Sequence, residues 1–195
     1  MEVLYRAGQK TDVKTLAELE DIASGGAVEF LFHDLMPGVS AVQFVASGLE
    51  QDVYPHSYRS AIVAELNHHV IGMALSFPAT YHQITPEMRD LFPPDRLEHF
   101  QDFFSARVEG SFFLDALCVL TDYQHKGIGS RLIELTKSKA QTEGYNSLSL
   151  IVLADNIGAQ RLYQRHGFES VRSIELHPHP LMPHQGGALL MRANL

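Results

Sequence analysis

A glycine-containing turn between a predicted strand and a predicted helix carries the clearest chemical signal in the chain. The apolar run over 117–120 leads into Gln124-x-x-Gly127-x-Gly129, and an amphipathic helix is predicted to follow. Glycine allows the backbone to approach a ligand closely and to adopt dihedral angles that are closed to other residues. The first N–H groups of a helix lack intrahelical partners, and the helix dipole favours an anion at that end. The spacing therefore predicts a cradle for a pyrophosphate.

Two common phosphate-binding motifs are excluded by the order of the residues. A P-loop requires Gly-x-x-x-x-Gly-Lys-Ser/Thr, and the dinucleotide fingerprint requires Gly-x-Gly-x-x-Gly near the first strand. Neither pattern occurs at this turn, which lies past the middle of the chain. The residues that flank the turn must therefore indicate which pyrophosphate-containing ligand it would bind.

Two motifs make the sequence resemble the GNAT superfamily of acyl-CoA-dependent N-acetyltransferases. The pyrophosphate loop of that family reads Gln/Arg-x-x-Gly-x-Gly/Ala after a strand ending in a Leu-Ala-Val-like triplet, which is 117–119 here. A second motif runs from Asn156 to Tyr163 and leads into Gly167-Phe168. The motifs occur in the family's order and separation, and they cover roughly the half of the chain from Phe112 to Val171. The first half resembles the family only in its pattern of elements.

The resemblance implies that acetyl-CoA is the co-substrate. Main-chain groups of the turn would hold the pyrophosphate, the strand before it would pair with the pantetheine arm, and the Val119 N–H would lie near the thioester oxygen. The implied cofactor-binding residues are Leu117, Cys118, Val119, Gln124, His125, Lys126, Gly127, Ile128, Gly129, Ser130, Asn156 and Tyr163.

Tyr163 is the predicted catalytic acid. It lies seven residues after Asn156, which is the family's spacing between the pantetheine-binding Asn and the acid. A phenol can protonate the departing thiolate. The alternative is a tyrosine that only packs its helix, and Asn156 can also serve as a plain helix N-cap.

The catalytic base is harder to assign from the sequence. Some relatives carry a glutamate five residues before the Asn, but this chain has Ile151 there. Asp115, four residues before Val119, is the predicted base, acting on the amine directly or through water. Strict strand alternation would place it on the face that Val119 occupies. The alternative is a structural carboxylate, and Glu109 and His33 are weaker candidates for the base.

A cysteine and a group of histidines could act as a nucleophile and as metal ligands, but the residues around them argue against both roles. Cys118 is expected to be a buried structural thiol, because a nucleophilic cysteine would need a histidine partner. The histidines 177, 179 and 184 suggest a metal, but the prolines between them make regular ligand geometry hard to build. No metal is therefore expected, and the loop His177–Gln185 is predicted to line the acceptor side.

The composition limits the class of protein. A length of 195 residues with 45% hydrophobic residues predicts one domain over 1–195, with an insertion at about 80–110. The formal charge of −8 argues against nucleic acid as a partner, whereas it suits a cationic amine or ordinary solubility. One cysteine and no signal peptide or membrane span predict a cytoplasmic protein. The predicted partners are an amine acceptor, small or peptidic, and a second copy in a homodimer.

The predicted fold is α/β, a mixed twisted sheet with helices on both faces and a V-shaped splay between its central parallel strands. Helices are expected after the first strand, and their residues Phe30, His33 and Phe44 are candidates for the acceptor wall or for the core. Within the insertion a helical run is expected over 95–106. It would cover the acceptor entrance, cover core or form a dimer contact.

These features together predict an N-acetyltransferase that moves an acetyl group from acetyl-CoA to a primary amine by direct attack in a ternary complex. The alternative is a non-catalytic acyl-CoA-binding sensor or regulatory module. The sequence does not identify the acceptor.

Overall fold

The computed structural model describes residues 2–195 as a seven-stranded sheet with helices on both faces. The strands are β1 (Leu4–Ala7), β2 (Ala61–Leu66), β3 (His69–Pro78), β4 (Phe112–Val119), β5 (Ser147–Leu153), β6 (Glu169–Ile174) and β7 (Ala188–Asn194). The helices are α1 (Val13–Ser24), α2 (Ala27–Phe32), α3 (Ala41–Glu50), α4 (Pro86–Leu91), α5 (Pro94–His99), α6 (Gln101–Ser105), α7 (Ile128–Thr142) and α8 (Ile157–Arg165).

The sheet opens in its middle. Its strand order is β1-β2-β3-β4-β5-β7-β6, and β4 and β5 form the parallel pair among antiparallel neighbours. These two strands pair only over 112–114 and 148–150, although β5 continues along β7 as far as Leu153. The remainder of β4 therefore diverges from β5 and leaves a V-shaped gap. The predicted fold class is confirmed, including this splay.

Apolar residues cover both faces of the sheet. On one face, α7 and α8 bury Leu132, Ile133 and Tyr163 against strand residues such as Leu114 and Leu150. On the other face, α1 and α3 pack against β2, β3 and the second half of β4. The rest of that face, over β5 and β7, is covered by α2 and the segment 86–106. The gap thus has a different helical layer on each side.

The segment over 80–110, which was predicted to be an insertion, contains three short helices, and the helical run predicted over 95–106 is divided into α5 and α6. Pro86 and Pro94 stand at the first turns of α4 and α5, where proline is tolerated because its missing N–H would be unpaired there. The helical path is interrupted at Phe100, which has φ −98° and ψ 9°. The Arg96 guanidinium donates to the carbonyls of Leu31 and His33, both at 2.8 Å, and ties the insertion to α2.

A β-bulge in β4 changes which face its residues occupy. Ala116 pairs with Leu75 and Leu114 with Ser76, so Asp115 is an extra residue without a partner on β3. A bulge of this kind redirects side chains. Strict alternation from Val119 to Asp115 is therefore wrong: Val119 packs on the α7 side, whereas Asp115 lies beside α1.

Ion pairs fix the start of α1 against the sheet. The Arg6 guanidinium on β1 donates to Asp12 at 2.7 Å and to Glu65 on β2 at 2.7 Å. Burial alone would raise the pKa of Asp12, but the hydrogen bonds from Arg6 and from the Gln9 N–H lower it below its ordinary value. The orientation of α1 over the sheet depends on this buried carboxylate.

None of the helices within residues 2–195 has the length and apolar content that a bilayer crossing would require.

Replacing Asp12 by Asn should lower the free energy of unfolding by about 1.5–3 kcal/mol near neutral pH, because charge-assisted hydrogen bonds are lost. The folded-state pKa is depressed, so this contribution exists above the unfolded value of about 3.9 and disappears as pH falls through the folded value. Urea unfolding of both proteins should show a difference at about pH 7 that shrinks at about pH 3.

The matched control is Glu50→Gln, which removes an exposed pair with Lys10 at 3.3 Å. Such exposed pairs contribute about 0–1 kcal/mol. Equal losses in the two variants would contradict a special role for Asp12.

Candidate active site

The glycine turn stands at the mouth of the gap with unpaired donors. Within the described chain, the backbone N–H groups of 125–130 donate to no protein acceptor, and the first turn bond of α7 runs from the Arg131 N–H to the Gly127 carbonyl. Gly127 has φ +81°, a left-handed conformation that favours glycine, and His125 has φ +59°. The Gln124 amide donates to the Val119 carbonyl at 2.9 Å and fixes the turn to β4. This cluster of donors at a helix start fits a pyrophosphate.

Gly129 lies where both arms of the gap approach the turn. A Cβ atom added there would meet Leu162 Cδ2 of α8 at 3.4 Å and Val119 Cγ2 of β4 at 3.9 Å. These are ordinary contact distances, so the protein itself leaves room for a small side chain at this position. Any stronger requirement for glycine at 129 must come from a ligand that lies against the turn.

The second motif forms the start of α8, directly after β5. The Asn156 Oδ1 accepts from the Ala159 N–H at 3.1 Å and caps the helix. The Gln160 amide donates to the carbonyls of Leu153 and Ala154, at 3.1 and 2.8 Å. These bonds hold α8 at the end of β5, across the gap from the glycine turn.

Tyr163 projects from α8 into the core that lines the α7 side of the gap. Its side chain is buried, packs against Phe168 with ring centroids 5.7 Å apart, and shares a hydrophobic cluster with Leu117 and Val119. Burial raises the pKa of Tyr163, so the phenol is protonated at neutral pH. A protonated phenol can donate a hydrogen bond to a ligand in the gap.

Asp115 lies at the apex of the gap, next to the last β4–β5 pair. Its carboxylate, the Glu20 carboxylate of α1 and a ring nitrogen of His56 lie within 4.8 Å of one another. Glu20 and His56 were not predicted as site residues. Glu20 shares the buried stripe of α1 with Leu16 and Ala17, and this was the signal available in the sequence.

The weaker candidates have partners elsewhere. Burial raises the pKa of the Cys118 thiol to about 11, and its side chain lies among apolar residues on the α1 face.

The two weaker candidates for the base are paired with arginines. The Glu109 carboxylate accepts from Arg107 at 2.6 Å. His33 contacts the Arg96 guanidinium at 3.3 Å. Phe30 and Phe44 both pack against other aromatic rings in this region.

The histidine-rich loop rests on the turn between α1 and α2. His184 pairs with Asp155 at 3.0 Å, and His179 packs edge-on against Phe30 at 4.7 Å. The Leu181 carbonyl lies so close to Gly26 that a Cβ there would collide with it. Among the residues that the structure describes, the loop histidines do not converge on one ligand position.

The splayed sheet with a glycine turn at its mouth is the arrangement of the GNAT fold. The sequence profile of the acetyltransferase (GNAT) family matches residues 29–168. The chain therefore belongs to this family.

Two solved acetyltransferase structures share the fold, and one curated acetyltransferase matches part of the sequence. An N-acetyltransferase from Staphylococcus aureus Mu50 is 17% identical with a TM-score of 0.65, over 98% of this chain and 100% of that chain. The PaiA N-acetyltransferase from Thermoplasma acidophilum, solved in complex with coenzyme A, is 14% identical with a TM-score of 0.57, over 100% of both chains. A mycothiol acetyltransferase from Jonesia denitrificans is 35% identical over 102 residues, 46% of this chain and 32% of the relative. The match thus spans about a third of that curated relative's length.

Cys118 should resist alkylation in the native state, because its thiol is 6% exposed and its pKa is raised. Iodoacetamide at about pH 7.5 should react at least about 100-fold faster with the chain unfolded in urea, where the thiol has an ordinary pKa. Mass spectrometry of the modified protein measures both rates. Rapid native labelling would contradict the buried-thiol assignment.

Proposed function

We propose that the protein is an N-acetyltransferase that transfers the acetyl group of acetyl-CoA to a primary amine by direct attack in a ternary complex. The observation that carries the proposal is the gap between β4 and β5 with unpaired donors of 125–130 at its mouth. Membership of the acetyltransferase (GNAT) family supports acetyl transfer in general.

The proposed cofactor site uses mostly main-chain groups. The backbone N–H groups of 125–130 would bind the pyrophosphate, and the edge of β4 over 117–119 that β5 leaves unpaired would pair with the pantetheine arm. Asn156 retains its side-chain NH₂ for the same arm, because its cap uses only the oxygen. Bound acetyl-CoA supplies an acetyl group activated as a thioester.

The proposed catalytic roles lie on opposite faces of the gap. Tyr163, whose phenol is protonated at neutral pH, would donate a proton to the departing thiolate. Asp115, on the α1 face at the apex, would take a proton from the amine. The acceptor would then enter between α1, the 80–110 insertion and the His177–Gln185 loop, which is the face opposite the glycine turn. We further propose a cytoplasmic location.

Turnover with a panel of amines tests the proposal and its alternative. The purified protein is incubated with acetyl-CoA and ethylamine, putrescine, glycinamide or a short peptide with a free N-terminus, and free CoA is measured. Amine-dependent release of CoA with formation of the amide is expected for at least one member. Tight binding of acetyl-CoA without transfer to any amine would favour a sensor instead.

Replacing Gly129 by Val should weaken CoA binding at least tenfold, about 1.4 kcal/mol, because the branched side chain would occupy space beside the pyrophosphate. Ala at the same position should have a smaller effect, since its Cβ makes only ordinary contacts in the protein. Calorimetric titration with CoA measures both variants.

The matched control is Gly48→Val in α3, where an added Cβ meets nothing within 4 Å. Its CoA affinity should equal that of the wild type. Unchanged affinity in a folded Gly129→Val protein would remove the pyrophosphate assignment.

Replacing Tyr163 by Phe should lower turnover by about 10²–10⁴-fold while leaving CoA affinity and thermal stability nearly unchanged, because only the hydroxyl is removed. The control is Tyr145→Phe, which makes the same change on a ring that packs against Phe112 at 5.2 Å. Steady-state rates with an accepted amine provide the measurement. Equal rates for the two variants would return Tyr163 to a packing role.

A further inference from the structure

Glu20 lies on the side of α1 that faces the sheet, where the neighbouring residues of the helix are apolar. Val13, Leu16 and Ala17 are buried on the sheet-facing side of α1, and Glu20 continues the same i, i+3, i+4, i+7 stripe. A carboxylate on such a stripe is costly unless it has a partner. Glu20 as a whole is half-buried, and a charged residue kept on such a stripe beside a cleft suggests a functional role.

The Glu20 carboxylate has an oxygen with no partner in the protein. Its Oε2 is inaccessible to solvent and, within the described residues, makes no hydrogen bond. Buried polar atoms are nearly always satisfied, so such an atom requires an explanation. An unmet acceptor at a cleft is expected to receive a donor from a ligand.

Three different elements converge on the Glu20 carboxylate. Glu20 comes from α1, Asp115 from the bulge in β4, and His56 from the loop between α3 and β2, with their ligand atoms within 4.8 Å of one another. The His56 loop is itself held by Asp52, which accepts from Arg59 at 2.7 Å and from the Ser57 hydroxyl. His56 is exposed, so the cluster is connected to solvent on one side.

The local charges favour a cation. Burial raises the pKa of Glu20 to about 7, the Asp115 carboxylate adds to the rise, and His56 opposes it. His82 lies behind the cluster, where burial lowers its pKa and its Nε2 contacts the Phe103 carbonyl at 3.0 Å. The neutral His82 adds no positive charge, so the cluster around Glu20 is acidic.

The spacing of the cluster suits an ammonium group. A tetrahedral nitrogen with hydrogen bonds of about 2.9 Å holds its acceptors roughly 4.7 Å apart. The 4.8 Å limit on the three groups is compatible with that arrangement. A primary ammonium offers three donors, which matches one acceptor from each of the three elements.

We propose that Glu20, with Asp115 and His56, binds the ammonium group of the acceptor at the apex of the gap, and that Glu20 accepts the proton which the amine must lose before it attacks. This inference rests on the proposed function, because it names the acceptor class as a cationic primary amine. It makes Glu20 a catalytic residue in addition to Asp115 and Tyr163.

The proton balance is complete with these residues. The ammonium gives one proton to the Glu20 carboxylate, and the neutral nitrogen forms the C–N bond as the C–S bond breaks. The nitrogen gives a second proton to Asp115, while Tyr163 supplies one to the thiolate. His56 passes protons from Glu20 and Asp115 to solvent, Tyr163 recovers one from solvent, and one proton is released per amide formed.

An NMR titration tests the ammonium site without requiring turnover. The carboxyl carbon of Glu20 in ¹³C-glutamate-labelled wild type is assigned from its absence in Glu20→Gln. Its titration midpoint should lie well above the ordinary value of about 4.3. Ethylammonium chloride should lower this midpoint, since a bound cation favours the charged carboxylate, whereas sodium chloride at equal ionic strength should not. Equal effects of the two salts would overturn the proposal.

A pH profile tests the proton transfer. With a panel amine that is turned over, kcat/KM of the wild type should fall as pH decreases through the Glu20 midpoint. Glu20→Gln should lower kcat/KM by about 10²–10⁴-fold and lose that dependence on Glu20 ionisation. The control is Glu18→Gln on the exposed side of α1, which should match the wild type. A Glu20→Gln protein with the profile of the control would overturn the proposal.

The remaining outcomes distinguish this inference from the proposed function and from a metal site. If no panel amine is acetylated, the proposed function fails, and the ethylammonium titration still decides the inference. Calorimetry with zinc chloride tests whether the two carboxylates and the histidine bind a metal ion instead of an ammonium group. Micromolar zinc binding that Glu20→Gln abolishes, without an ethylammonium effect, would replace the ammonium site by a metal site.

Discussion

The early end of pairing between β4 and β5 is the constraint on which the rest of the structure depends. Only three residue pairs join these strands before they diverge. The divergence leaves backbone donors and acceptors along β4 without a neighbour, and buried backbone groups require partners. It also brings the glycine turn after β4 and the start of α8 after β5 to opposite sides of one cleft. A fully paired sheet would close the space into which both motifs point.

The bulge at Asp115 gives one strand two chemical faces. Leu117 and Val119 pack on the side of α7, whereas Asp115, like Ala116 and Cys118, lies on the side of α1, where it meets Glu20. One extra residue therefore places Asp115, beside the proposed acceptor site, on the opposite face of the strand from Leu117 and Val119, which border the proposed cofactor site. The clamp of Arg6 on Asp12 fixes the beginning of the helix that carries Glu20, so a contact distant from the cleft helps to set its geometry.

The sequence was sufficient for features whose signal is local. The turn around Gly127, the cap at Asn156 and the strand patterns depend on neighbouring residues, and they predicted the fold and the position of the gap. Three features depend on tertiary contacts and were not predicted correctly. The bulge at Asp115 arises from pairing with β3. The run over 95–106 divides at Phe100, whose ring packs against Phe30 of α2. A role for Glu20 is indicated only by its proximity to His56 and Asp115. The roles proposed for the site residues remain predictions.

The two outer strands of the sheet have a consequence for behaviour at high concentration. An exposed strand edge offers unpaired backbone groups to other chains and can seed aggregation. Here one edge is β1, only four residues long. The other is β6, where the register shifts between Ser170 and Arg172 and leaves Val171 unpaired. A short strand on one side and an irregular, charged strand on the other give a neighbouring chain little straight backbone to extend. The gap between β4 and β5 therefore coexists with two outer edges, β1 and β6, that disfavour pairing with strands of other chains.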